Sequence, residues 1–468
     1  MSAPRRWWAG PFDVEQLAWS SVQRARDAAA ELAASRGLDL RIGTTPELVA
    51  ASFAAIEHLR IDGRAPQAWG ELSGFVEAAD GWVRLHGNHP HHAEVLRSVL
   101  GAGDRPGIER AIARRDAAEV ADAVTAAGGI ATVVRTRQEW AAHPQARARK
   151  GAGWVSGTDR GQRPALPVPN PGSAPVTAPM AAPVSAPAAA PVSASAAAPA
   201  APCRAPLSGV RVLDLTRVIA GPSGTQLLAC LGADVLRIDP PHRPELLDQH
   251  FSTGMGKRSA ELDLRREPEA FRSLAAAADV IVCGYRPGAL SALGIGLEEL
   301  EQLAPQAVIV SLSAWGETGP WGQRAGFDSI VQAATGIAAE CGTPDRPGAL
   351  PVQALDHATG QLLAAHVMES LARARANTIR LSLLGAADAL CALPPPPLEE
   401  PAELAVPRVR VGSAGGTLEA VPPPLLVDGA TIERPVGGYG AAAPRWESSS
   451  DAAASAGCGT GGAGRRVS

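Results

Sequence analysis

Asp356 has the neighbours a covalent carboxylate needs. It closes the short apolar approach PVQAL and heads the small-residue run HATGQLLAAHVMESLARAR. An Asp at that point is a favoured N-cap, accepting hydrogen bonds from the free N–H groups of a helix start. Those same groups, with the positive end of the helix dipole, also keep a carboxylate ionised and stabilise a neighbouring oxyanion. Cap and nucleophile are compatible roles, and the residues alone leave both open. His357, next in the chain, is expected to be structural.

A second group is the run His86, His89, His91 and His92. Metal ligation needs ligands converging from an ordered scaffold together with a carboxylate partner, which a short polar turn feeding a helix does not supply. A structural or substrate-side role is preferred, and no metal is expected. Other polar residues follow apolar runs: Arg217, Tyr285-Arg286-Pro287-Gly288 and Ser313-Ala314-Trp315-Gly316. Cys203, Cys230, Cys283, Cys341, Cys391 and Cys458 are scattered without a C-x-x-C pair, which fits reduced thiols better than a disulfide frame or a zinc site.

The elements that must position these residues can be read from periodicity. VEQLAWSSVQRARDAAAELAASR (14–36) repeats apolar residues at spacings of three and four and predicts an amphipathic helix. A second helix starts at Thr45-Pro46. GFVEA and WVRLH predict two strands turned at Ala79-Asp80-Gly81, and a helix follows Pro90. Residues 106–148 predict two helices, the second capped by Asp116, then the strand IATVVRT and a helix start. Residues 164–206 are almost wholly Pro, Ala, Val and Ser, a composition that favours an extended tether over a packed core.

Beyond the tether, VRVLDL, SGTQLLACLG and ADVLRID make a strand, a helix and a strand. The pattern recurs in EAFRSLAAA with DVIVCGY and in LEELEQLAP with AVIVSLSAW. Repeated crossovers of this length predict a doubly wound, mostly parallel α/β sheet with its ligand at the carboxyl ends of the strands. No G-x-G-x-x-G follows the first strand and no Walker A loop occurs, which argues against a dinucleotide site. VRVGSAGGTLEAV predicts a hairpin. The predicted organisation is a smaller α+β domain (1–150), a Pro/Ala-rich linker (151–206), the sheet domain (207–390), a return segment (391–445) and a disordered tail (446–468).

A chain of 468 residues has room for two or three folded units. A net charge of −4 leaves no basic footprint, so nucleic acid is not an expected partner. No stretch approaches the roughly 18 apolar residues of a membrane span, and the first residues lack the apolar core of a signal peptide. A cytoplasmic protein with no membrane partner is expected.

Five passages in order, LSGVRVLDLTRVIAGPSGTQLLACLGADVLRID, GKRSAELDL, ADVIVCGYRPGAL, LSAWGETGPWGQRAGFDSIVQAATG and QALDHATG, resemble the class III CoA-transferases, the formyl-CoA transferase-like family. The resemblance implies a Rossmann-like large domain, coenzyme A or acyl-CoA as substrate with a carboxylic acid as acceptor, no metal, and a homodimer of interlocked chains. It implies that Asp356 attacks the thioester carbonyl, with Gly360 and the helix start suited to the oxyanion. It also makes Arg217, Lys257, Arg286 and Arg324 candidates for the CoA phosphates and pantetheine. An acidic and a basic residue usual after the second strand are replaced by Asp239-Pro240-Pro241. Phe327 stands where the racemase branch carries a His, which favours transfer over the alternative of a 2-methylacyl-CoA racemase; a non-catalytic CoA-binding paralogue is the third reading. Segments 74–101 and 122–146 resemble parts that normally follow the Asp block, so the order implies either a rearranged single unit or the remnant of a duplication. GSAGG (412–416) is the available substitute for the family's glycine-rich loop.

Overall fold

The computed structural model describes residues 6–169 and 205–447; most of the Pro/Ala tract, nearly all of the predicted tail, Cys203 and Cys458 lie outside them. The centre is a seven-stranded sheet in the order Val155–Gln162, Arg375–Ser382, Val308–Ser313, Val280–Cys283, Arg211–Leu215, Asp234–Asp239 and Lys257–Glu261. The last six run parallel, as the crossovers predict, and the first is antiparallel to its neighbour. Val280, Ile281 and Val282 are all 0% exposed, because strands covered on both faces must be apolar on both. The parallel strands begin at Arg211–Leu215, build outwards to Lys257–Glu261, then return to the other side of Arg211–Leu215. The reversal falls between Arg211–Leu215 and Val280–Cys283, and in such sheets ligands bind outside the carboxyl ends of the strands at that point.

Helices Ala220–Cys230, Ala354–Ala372 and Leu383–Ala392 share one core on one face, and Pro268–Ala276 and Leu297–Leu303 belong to a second core. The predicted N-terminal helix forms as Val14–Ser35, with Asp13 capping Gln16 N. It lies along Ala354–Ala372, where fully buried Ala18, Ala25 and Ala29 meet a helix that also carries buried alanines, and small residues let two helices approach closely. Arg24–Glu369 and Arg373–Glu31 ion pairs frame the contact.

Two features depart from the predicted organisation. The first 150 residues are not one domain: residues 14–54 belong to the main core, whereas Leu72–Ala131 enclose a core of their own around the antiparallel strands Gly74–Ala78, Gly81–Leu85 and Ala131–Val133. An amphipathic helix must bury its stripe against something, and the sequence does not say against what. The strand Val155–Gln162 also occupies residues assigned to the linker. It is an edge strand paired on one side, so VSGTDRGQ needs no apolar run. The predicted C-terminal hairpin is present as Val409–Ser413 and Gly416–Ala420, and Arg60–Ile61 pairs with its second strand. Its GSAGG turn packs against Phe251 and Asp62. No helix among the described residues is long and apolar enough to cross a membrane.

Candidate active site

Asp356 lies in the first turn of Ala354–Ala372, not at its cap; the cap residue is Gln353, which makes no side-chain capping bond. The capping role expected of Asp356 belongs to Asp328, whose Oδ2 accepts from Asp356 N at 3.0 Å. Asp328 heads the helix Asp328–Thr335 and accepts from the Gln332 side-chain amide, while Gln332 Oε1 accepts from Leu350 N at 2.9 Å. The helix start is thus satisfied by a different carboxylate, and the Asp356 carboxylate, 4% exposed, is not spent on it. Gly360 has a packing role. A Cβ there would fall 2.2 Å from Ser223 Oγ and 2.4 Å from Ala220 O, so the glycine is what allows Ala220–Cys230 to pack on the Asp356 helix. His357 is buried against Phe53 at 5.3 Å, and burial lowers its pKa to about 4.

Burial pushes the Asp356 carboxyl well above the ordinary carboxylate range, and Asp328 raises it further by repulsion. Burial likewise raises Asp328. A carboxyl whose pKa is higher folded than unfolded holds more protons in the native state, so its contribution to stability is lost as pH rises from the unfolded value through the folded one. Asp356→Asn is therefore expected to raise Tm, and to raise it more at pH 7.5 than at pH 4.5. Calorimetry showing the larger gain at the acidic pH would contradict this.

The four basic residues proposed from the sequence divide. Arg286 and Arg324 line one solvent-open cleft of about 740 Å³, together with Gly128, Thr132, Trp315 and Trp321. Arg324 lies over the Trp321 ring at 4.8 Å, Arg135 approaches the same ring at 5.4 Å, and the nearest carboxylate pairing is a loose 3.7 Å contact from Arg324 to Asp122. Arg217 lies elsewhere, its Nη2 donating to Pro244 O at 2.7 Å and its Nε 3.7 Å from Glu245. Lys257 is a correction to the expectation. It is 2% exposed, with Nζ 3.1 Å from Asp214 Oδ2 and donating to Pro222 O at 2.8 Å, so it is committed inside the protein. Burial lowers its pKa to about 8, with Asp214 opposing.

The sequence reading missed two supports. Arg237, Asp239 and Glu245 form a buried network with contacts of 2.7 and 3.1 Å, and Glu245 Oε2 also accepts from Val218 N at 2.9 Å. Val218 has φ +68°, costly for a β-branched residue, just beyond the strand Arg211–Leu215. Only the alternation within DVLRID hints at this network. The other is Gln145, fully buried, which donates to Trp315 O (3.0 Å) and Thr318 O (2.9 Å) and accepts from Trp321 N (2.7 Å). Gln145→Leu strands three backbone groups and is expected to cost roughly 2–4 kcal/mol, read by urea denaturation; a loss under about 0.5 kcal/mol would contradict it.

Residues 207–397 match the family described as CoA-transferase family III. The chain is 36% identical over 184 residues to human succinyl-CoA:glutarate CoA-transferase, covering 36% of this chain and 41% of that protein. It is 34% identical over 190 residues to a probable fatty acyl-CoA transferase of Mycobacterium tuberculosis, covering 37% and 48%. It is 38% identical over 157 residues to an acetyl-CoA:oxalate CoA-transferase of Acetobacter aceti, covering 31% and 40%. The chain therefore spans less than half the length of these relatives. The matched residues 207–397 carry Asp328, Asp356 and all four basic candidates, so it is this part of the chain that is similar to CoA-transferase family III.

Proposed function

We propose that the protein moves CoA from an acyl-CoA to a carboxylic acid, with Asp356 as the covalent nucleophile. The Asp356 carboxylate attacks the thioester carbonyl and expels CoA thiolate, leaving a mixed anhydride. The thiolate then attacks the aspartyl carbonyl, releasing the donor acid and forming an aspartyl-CoA thioester. The acceptor carboxylate attacks that thioester to form a second anhydride, and the thiolate takes the new acyl group and frees Asp356. A carboxylate is a weak nucleophile, so each step relies on the effective molarity of bound CoA and on donors facing the oxyanion.

The observation that carries this reading is the division of labour between the two aspartates. Asp328 satisfies the N–H of Asp356, leaving the Asp356 carboxylate buried and uncommitted. Arg286 and Arg324, around Trp321, suit the phosphates of CoA, for which guanidinium groups are apt partners. The reading includes a homodimer, which a monomer in light scattering would refute. Incubation with acyl-CoA is expected to give a CoA-sized mass increase that Asp356→Ala abolishes. An adduct that persists in the variant refutes the assignment of the nucleophile. Tight CoA binding with neither adduct nor exchange of the substrate α-proton would indicate a CoA-binding paralogue instead.

A further inference from the structure

Outside the groups used so far, the least satisfied polar side chains belong to the strand Gly81–Leu85 and its extension. Arg84 is 7% exposed, and its guanidinium is held between the Trp69 and Phe75 rings at 5.0 and 4.8 Å. Its Nε is buried without a hydrogen-bond partner, and no carboxylate among the described residues lies within ion-pair distance of it. Its counter-charge is Asp328, which acts from beyond ion-pair distance and against the repulsion of Arg105; compensation that weak, even with a ring sandwich, offsets only part of the cost of burying a cation. His86, two residues on, shares the same side of the extended chain. It is 3% exposed with neither ring nitrogen partnered, and it stacks on Phe327 at 4.0 Å. Phe327 immediately precedes Asp328, whose carboxylate holds the backbone of Asp356.

An unpaired guanidinium and an imidazole with a free N–H, both facing the nucleophile's neighbourhood, are complementary to a carboxylate. The exchanged carboxylate is a poor occupant, since it loses its charge on becoming a thioester and would leave Arg84 unpaired again. A second carboxylate on the same substrate stays ionised in acid and thioester alike. Relatives include proteins named for dicarboxylic acids and one named for fatty acyl groups, so names do not decide between them. We propose that Arg84 and His86 bind the non-exchanged carboxylate of a short dicarboxylic acid, making this protein selective for dicarboxylates. The proposal rests on the CoA-transferase reading for its substrate, though not for the existence of an anion site.

The test compares succinate, glutarate and adipate with monocarboxylic acids of the same lengths as acceptors, using the acyl-CoA that gives the adduct. The intact protein is expected to favour the best dicarboxylate at least about 100-fold in kcat/KM. Arg84→Met is expected to shrink that ratio below about threefold, and Arg84→Lys to retain part of it. The Tm of Arg84→Met is expected to hold or rise, because the substitution removes a buried charge that has no ion-pair partner and keeps the apolar stem. Absence of a preference in the intact protein, an equal fall for both acid classes in Arg84→Met, or a Tm loss of several degrees would overturn the proposal. If the intact protein forms no adduct, calorimetric titration with glutarate decides separately: binding lost in Arg84→Met supports the site, and no binding to the intact protein refutes it.

Discussion

Asp356→Ala is expected to lower kcat/KM for CoA transfer by about 10⁴-fold or more, because removing a covalent nucleophile closes the route and leaves only whatever binding contributes. The affinity for CoA itself should change little, since the carboxylate is not among the groups proposed to hold the phosphates. Initial rates and calorimetric CoA titration check the two halves. A fall of less than about tenfold would show that Asp356 is not the nucleophile. A variant that also loses CoA binding would point to a collapsed helix start, and circular dichroism separates that case.

The second large effect concerns stability. Asp214 is fully buried and accepts from Thr225 Oγ1 at 2.6 Å, Thr216 N at 3.0 Å and Lys257 Nζ at 3.1 Å. Burial alone would raise its pKa, but Lys257 and then Arg237 outweigh burial and hold it below the usual value. Lys257→Met leaves that carboxylate without its main counter-charge and is expected to cost about 3–5 kcal/mol in urea denaturation. Asp214→Leu combined with Lys257→Met should recover part of the loss, because an apolar pair can replace a buried ion pair. If stability held and KM for CoA rose about tenfold instead, the lysine would be the phosphate ligand that its motif suggested.

Lys257 shows what a sequence leaves out. GKRSAELDL presents a lysine beside an apolar strand, and nothing local tells whether its ammonium group meets phosphate or a buried Asp214. The parallel sheet was legible because strands buried on both faces are apolar over their whole length, and the turns and helices between them carry strong local signals. The Val14–Ser35 helix was legible for the same local reason, although its packing partner is more than 300 residues away in sequence. Asp356 was found as a carboxylate at a helix start, yet its cap was misjudged because the true capping group, Asp328, comes from another helix. Arg84 gave no signal: nothing local in WVRLH marks it, and its environment comes from the Trp69 and Phe75 rings that hold the guanidinium. Where local pattern fixes a residue's environment the reading succeeds, and where tertiary docking fixes it the reading fails.

The edge strand Val155–Gln162 has a consequence for how the protein is made. Its partner strand contributes Arg375 opposite the Asp159 region, and these two residues are 216 positions apart. At a ribosomal rate of about 5–20 residues per second, the emerging strand waits roughly 10–40 s for anything to pair with. The alanine face of Val14–Ser35 waits longer still for Ala354–Ala372, whereas Leu72–Ala131 can close its own core in the meantime. Synthesis therefore yields an early folded island flanked by two unpaired, association-prone surfaces, a late-closing topology in which chaperone occupancy is expected to fall on the first 60 residues and on the 155–162 strand rather than on the module between them.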